Sequence, residues 1–149
     1  LKRRLRQLIL TESNLDPSPV GATSRKIGSQ AYDAFLAHGY DDMLSRAQRK
    51  NPLWAATLAH WLPRAAWQIS SSAMRGGSPS WRQQLYALDR PKAYFFGAHS
   101  LPSHDVEALR EAGVFVEIIP DAGHSMALEN PRALAEAIAR VIQDAEAPR

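Results

Sequence analysis

Apolar residues recur along this chain in two spacings. Three short runs, residues 7–11 (Gln-Leu-Ile-Leu-Thr), 92–96 (Lys-Ala-Tyr-Phe-Phe) and 114–119 (Val-Phe-Val-Glu-Ile-Ile), are nearly continuous and bounded by charge, glycine or proline. Runs of that length and β-rich content read as strands buried in a parallel sheet. Between the first and second runs the spacing becomes helical. Ser13, Asn14, Asp16, Pro17 and Pro19 predict a long loop, after which Tyr32, Phe35, Leu36, Gly39, Tyr40, Met43 and Leu44 place one apolar stripe on a helix over 29–49. A second helix is predicted from Pro52 to Leu62, with Trp54, Leu58, Trp61 and Leu62 on one side and Pro63 ending it. A third covers 64–74 before Gly76-Gly77, and a short fourth runs from Ser80 through Leu88.

The second half alternates strand and helix. Residues from Ser103 or His104 to Ala112 form a helix with Gly113 as its C-cap, and strand 114–119 follows. Asn130 and Pro131 supply an N-cap and a first-turn proline for a helix to about Asp144, whose buried stripe is Leu134, Ile138, Val141 and Ile142. Alternation of this kind implies parallel neighbours joined by right-handed crossovers. The expected fold is therefore α/β, a partial parallel sheet of three strands with helices on its faces and a helical insertion between the first two. The expected organisation is 1–28 strand and loop of the core, 29–90 a helical cap region, and 91–149 the C-terminal core.

With 149 residues and an apolar fraction of 45%, the chain suits one globular core. It has no cysteine, which excludes disulfides and thiolate metal sites and fits a reducing compartment, so a cytoplasmic location is favoured. No apolar run approaches the roughly 18 to 20 residues of a membrane span. The chain opens at Leu1, so a targeting segment could have preceded it. The net charge of +3 owes much to Lys2-Arg3-Arg4-Leu5-Arg6, read as a solvated helix end or linker. Without an aromatic stacking pattern or zinc motif beside it, the cluster points to no nucleic-acid partner.

Chemistry concentrates at the strand ends. Val114 to Pro131 reads as a strand, a tight Pro120-Asp-Ala-Gly-His124 turn, and a capped helix; the first strand ends in acid, Leu8-Ile-Leu-Thr-Glu12-Ser-Asn-Leu15. Together with the intervening helices and the strand Lys92–Gly97, this order resembles the C-terminal half of the α/β-hydrolase superfamily from its sixth strand onward, over almost the whole chain. The resemblance implies that His124 is the general base. Acyl transfer also needs an acid to hold that histidine in one tautomer, and a nucleophile. In most members the acid stands three residues beyond a glycine after the seventh strand, which here is Ser100, a residue with no carboxylate. Part of the superfamily, including the haloalkane dehalogenases, places a glutamate after the sixth strand, and Glu12 occupies that position. Glu12-Ser-Asn-Leu15 followed by Ser24-Arg-Lys-Ile27 also resembles a subgroup with Glu-Gly-Asn-(Leu/Phe) and Ser-Arg-x-Ile, with Ser13 standing for the glycine. Asp105 remains the alternative acid, although a carboxylate in a first helical turn is expected for dipole reasons alone.

Other candidates are weaker. Asp121 reads as a turn former, His38 and His60 as surface or packing residues, and His99 and His104 lack a third metal ligand. Trp54, Trp61, Trp67 and Trp81 serve either interhelix packing or a cap over an apolar pocket. The nucleophile elbow is missing: Gly76-Gly-Ser78-Pro-Ser80 follows a helix and lacks the last glycine.

The expected function is thus the acid- and base-bearing C-terminal part of a hydrolase acting on an ester, amide or related bond. Its substrate is a small molecule with an apolar portion; it uses no cofactor and no metal, and it has no membrane partner. An N-terminal hydrolase half, or self-association through an open strand edge, would complete it. The rival from another class is a non-catalytic relic or interaction module that binds through that edge. A flavodoxin-like binding domain is disfavoured, because Gly97-Ala-His-Ser100 makes a poor phosphate loop.

Overall fold

The computed structural model describes residues 5–17 and 21–146, so Lys2, Arg3 and Arg4 of the basic cluster lie outside the described residues. Two compact units emerge: residues 1–13 with 82–149, which hold the sheet, and Asn14–Trp81, which is helical. The fold is α/β. Strands β1 (Leu8–Thr11), β2 (Lys92–Gly97) and β3 (Phe115–Ile119) form one sheet in the order β1-β2-β3. Both ladders are parallel, with Leu10 opposite Tyr94 and Phe95 opposite Glu117.

Alternation along β2 assigns its two faces. Ala93 and Phe95 enter a core shared with Ile119, Ala122, Met126, Ala137 and Val141, to which Ile9, Leu134 and Ile138 add partial cover. Of the stripe expected on α9 (Pro131–Glu146), Leu134, Ile138 and Val141 reach this core together with Ala137, whereas Ile142 is 42% exposed and lies outside it. At the solvent edge of the same face Arg140 pairs with Glu117. Tyr94 and Phe96 project to the opposite face, their rings 4.8 Å apart. Tyr94 is 3% exposed, and its hydroxyl donates to the Ser13 carbonyl at 2.6 Å.

Between β2 and β3 runs α7 (Asp105–Glu111), with Leu109 fully buried. Gly113, at φ +72, ends it: the Gly113 N–H donates to the Arg110 carbonyl and the Val114 N–H to that of Leu109. These two bonds are the Schellman closure, which favours glycine at the left-handed position. Upstream, α6 (Trp81–Tyr86) is tied to the start of α7 by Arg82, whose guanidinium meets Asp105 at 2.8 Å.

The helical unit differs from its expected layout in three places. Residues 22–28, expected in a loop, form α1 (Ala22–Gly28). Only Ile27 of this helix is buried, so no periodic stripe announces it; the packing of Ile27 with Phe35 and Ala66 sustains it instead. The helix expected over 29–49 begins at α2 (Tyr32–Ala34), passes through a π-helical stretch at Phe35–Gly39, and continues as α3 (Tyr40–Lys50). Pro63 does not end a helix but opens one. The second helix, α4 (Pro52–Leu58), stops early, and α5 (Pro63–Arg75) starts with the proline in its first turn after an extended Leu62. Trp54 and Trp61 pack edge to face at 5.5 Å, and Trp61 and Trp67 also flank the Ile27–Phe35–Ala66 cluster. Trp61 and Trp67 thus serve packing within the unit, and truncating either removes contacts with that cluster.

Two predictions follow from the sheet unit. A Cβ at Gly97 would collide with the carbonyl oxygens of Ala122 and Gly123. Backbone on both sides leaves little room to relax, so Gly97→Ala should lose about 1–3 kcal/mol, read as a lowered urea midpoint at unchanged slope; an unchanged midpoint would mean the turn is free to move. Burial, reinforced by the negative charges of Asp105 and Glu12 and opposed by Arg82, pushes the Tyr94 phenol above its ordinary value of 10.0. The unfolded tyrosine therefore releases its proton first. Stability from this group should be intact below pH of about 10 and decline above it, and Tyr94→Phe should flatten that alkaline decline in pH-dependent unfolding curves.

Candidate active site

Glu12 leaves β1 in a left-handed conformation, φ +39, while its N–H still donates to the Phe95 carbonyl at 3.1 Å. For a residue with a side chain this region costs about 1–2 kcal/mol, so the turn must be held by its surroundings. Ser13, which stands where the resembling motif has glycine, is not among the residues at positive φ. A serine is therefore tolerated there, because the unusual backbone belongs to the glutamate.

That backbone turns the Glu12 carboxylate across the end of β2. One oxygen, Oε1, accepts from the Gly97 N–H at 2.7 Å, and the other, Oε2, lies 3.0 Å from His124 Nδ1. The two side chains sit in unlike environments: Glu12 is 11% exposed and His124 78%. A carboxylate can only accept, so opposite ionised Glu12 the Nδ1 atom carries the hydrogen and Nε2 keeps its lone pair. The acid fixes the tautomer and orientation of the ring, while the free ring nitrogen is presented outward.

The turn that carries His124 is fastened from three sides. Asp121 adopts φ +50, the turn role expected of it, and Ala122 is fully buried. The Asn130 side-chain amide donates to the Pro120 carbonyl at 2.9 Å, the His99 N–H donates to that of Ala122 at 2.9 Å, and the Glu129 carboxylate accepts from the Gly123 N–H. Asn130 also caps α9, its Oδ1 accepting from the Ala133 N–H at 3.2 Å. One side chain thus joins the helix start to the turn. Glu129 closes the short helix α8 (Met126–Glu129), which lies between the histidine and the cap.

Of the residues singled out from the sequence, Glu12 and His124 are brought together. Asp105 is instead engaged by Arg82, with His104 Nε2 at 3.5 Å. Ser100 lies in the single 3-10 turn Ala98–Ser100 after β2. His38 and His60 are exposed. Among the described residues no three His, Asp or Glu side chains form a metal-ligating group, and no helix is long and apolar enough to cross a membrane. Sequence reasoning missed the Gly97 N–H as a carboxylate anchor, and the bonds that the Asn130 and Glu129 side chains make back to the turn. The Glu-Asn-Pro string signals a helix cap, but nothing in it signals contacts reaching back to residues 120 and 123.

No family model matches the chain, and no curated protein matches its sequence. Solved structures similar to it include the following two. NosK from Streptomyces actuosus is 21% identical over 95% of this chain and 60% of its own, with a TM-score of 0.50. Est816, described as an N-acyl homoserine lactone degrading enzyme, is 16% identical over 91% of this chain and 57% of its own, with a TM-score of 0.51. The chain therefore spans less than two thirds of the length of either. At these identities the likeness is one of architecture: the three-stranded parallel sheet and its helices share a fold with both structures.

Proposed function

We propose that this chain supplies the acid and base of an α/β-hydrolase, with His124 as general base and Glu12 as the acid that orients it. The observation that carries the reading is the two-sided grip on the Glu12 carboxylate, Gly97 N–H on one oxygen and His124 Nδ1 on the other. In the reaction His124 Nε2 takes a proton from the nucleophile or from water as the nucleophile attacks, and Glu12 stabilises the imidazolium that forms. The proton then passes to the leaving group. The nucleophile and its oxyanion donors come from outside these 149 residues, in the same protein or in a partner. Hydrolysis of an ester, amide or related bond is the proposed reaction class; a lactone, the substrate named for Est816, is a cyclic ester and falls within it.

We infer that the helical unit by itself binds a partly apolar ligand. Within it a groove of about 490 Å³ is lined by Ile69, Ala73 and Trp81, with Asn14, Ser24 and Gln68 around them. Apolar walls with a few hydrogen-bonding groups suit a neutral, partly hydrophobic ligand. A second reading, an interaction module, is favoured by one feature: among the described residues β1 pairs with β2 alone, leaving its other edge able to accept a strand.

Mutation separates the candidates for the acid. In the protein that includes the nucleophile, Glu12→Gln should lower turnover of a chromogenic ester by about three to four orders of magnitude, by analogy with loss of a tautomer-fixing acid. Asp105→Asn should leave turnover within about two-fold, since its carboxylate is engaged by Arg82 while His124 Nδ1 is engaged by Glu12. A near-native rate for the glutamine variant would exclude Glu12 as the acid. The chain alone should hydrolyse the same ester no faster than buffer. Turnover by the isolated chain that disappears in His124→Ala would place a nucleophile within it and defeat the proposal as stated.

A further inference from the structure

Glu12 is useful only if its strained turn is held, and two of the bonds that hold it come from backbone N–H groups at its own end of the sheet. The third comes from the other face. Tyr94, opposite Leu10 in the ladder, passes its ring beneath the strand end and donates from its hydroxyl to the Ser13 carbonyl at 2.6 Å. The ring is buried, stacked at a tilt against Phe96. Burial and the Phe96 ring thus restrict rotation of the phenol away from Ser13. The Ser13 carbonyl lies one residue beyond the left-handed Glu12, so the bond fixes the path by which the chain leaves that turn.

We propose that Tyr94 is the positioning residue for the Glu12–His124 pair: its hydroxyl, bonded to the Ser13 carbonyl, keeps Glu12 in the left-handed turn that aims the carboxylate at His124 Nδ1. Tyr94 touches neither the imidazole nor a reacting atom and acts through Glu12. The inference rests on the Glu12–His124 pairing proposed above and adds the group that maintains it. The physical requirement is general, since a residue held in a sparsely populated backbone region persists only where its surroundings over-determine it. A buried hydroxyl is suited to the task because its bond is shielded from competing water.

The test uses the 149-residue chain and needs no turnover. In the unaltered protein the His124 Nδ1–H, bonded to a carboxylate, should give a downfield proton resonance whose exchange with water is slowed. Tyr94→Phe keeps the ring and removes the donor. The exchange of that proton should accelerate by about ten-fold, the ratio expected from one ordinary hydrogen bond, while far-ultraviolet circular dichroism stays unchanged. Replacing Tyr94 with 4-aminophenylalanine, which restores a donor at the same place, should return exchange to the original rate; a residue needed only for packing would show no such rescue. Equal exchange in Tyr94→Phe, or no rescue by the amino analogue, overturns the positioning role. If Tyr94→Phe does not fold, the amino variant decides, and its failure to fold or to show the resonance also overturns the proposal. Glu12→Gln separates the two levels: a resonance unaffected by that change removes the Glu12–His124 pairing itself, whereas failure confined to the Tyr94 variants leaves the pairing standing.

Discussion

A single carboxylate joins the parts of the sheet unit that matter for its chemistry. Glu12 belongs to the end of β1, its Oε1 is bonded to the last residue of β2, and its Oε2 to the turn that follows β3. Each strand thus delivers one element of the arrangement at its carboxyl end, the side on which open parallel sheets present their sites. The geometry requires Gly97 in two ways. Its missing Cβ lets the carbonyls of Ala122 and Gly123 approach, and its N–H is the fixed donor that keeps the carboxylate from turning into solvent. Removing the glycine would disturb both the Glu12 carboxylate and the turn that carries His124.

The pair is asymmetric. Glu12 is largely enclosed and His124 largely open, so the carboxylate sits where its field is less screened, while the imidazole reaches solvent. The histidine is nevertheless not on a loose loop. Asn130 and Glu129 direct side chains back to the turn, and the buried Ala122 anchors it in the core beside Met126 and Ile119. Exposure of the ring and rigidity of its support are compatible because the fastening is made through the backbone of residues 120–123. The imidazole itself takes no part in it.

In the helical unit the sequence was legible where burial is periodic and opaque where it is not. The amphipathic stretches of α3 and α5 stand out from their spacing, but α1 buries only Ile27, and the turn ahead of α5 was misread because a proline can end one helix or begin the next. Local propensity does not distinguish those two roles. The choice is made by Leu62, which is extended, and by the packing of Ala66 against Ile27 and Phe35.

By itself the sequence determined the three strands, their parallel order, the Schellman glycine at 113, the cap at Asn130, and the choice of Glu12 and His124 as residues to watch. The strands and caps follow from hydrophobic period and from residue types whose chemistry is local, and the two site residues from the resemblance to the α/β-hydrolase superfamily. Only the tertiary structure decided that 112 positions of separation close to one hydrogen bond of 3.0 Å, that Asp105 is held by Arg82, and that the unusual backbone falls on Glu12 and not on Ser13. Such outcomes depend on strand register and on which backbone groups are left unpaired at the sheet's end. A linear pattern of residue types carries neither, because both arise when Gly97, Tyr94 and the 120–124 turn meet in space.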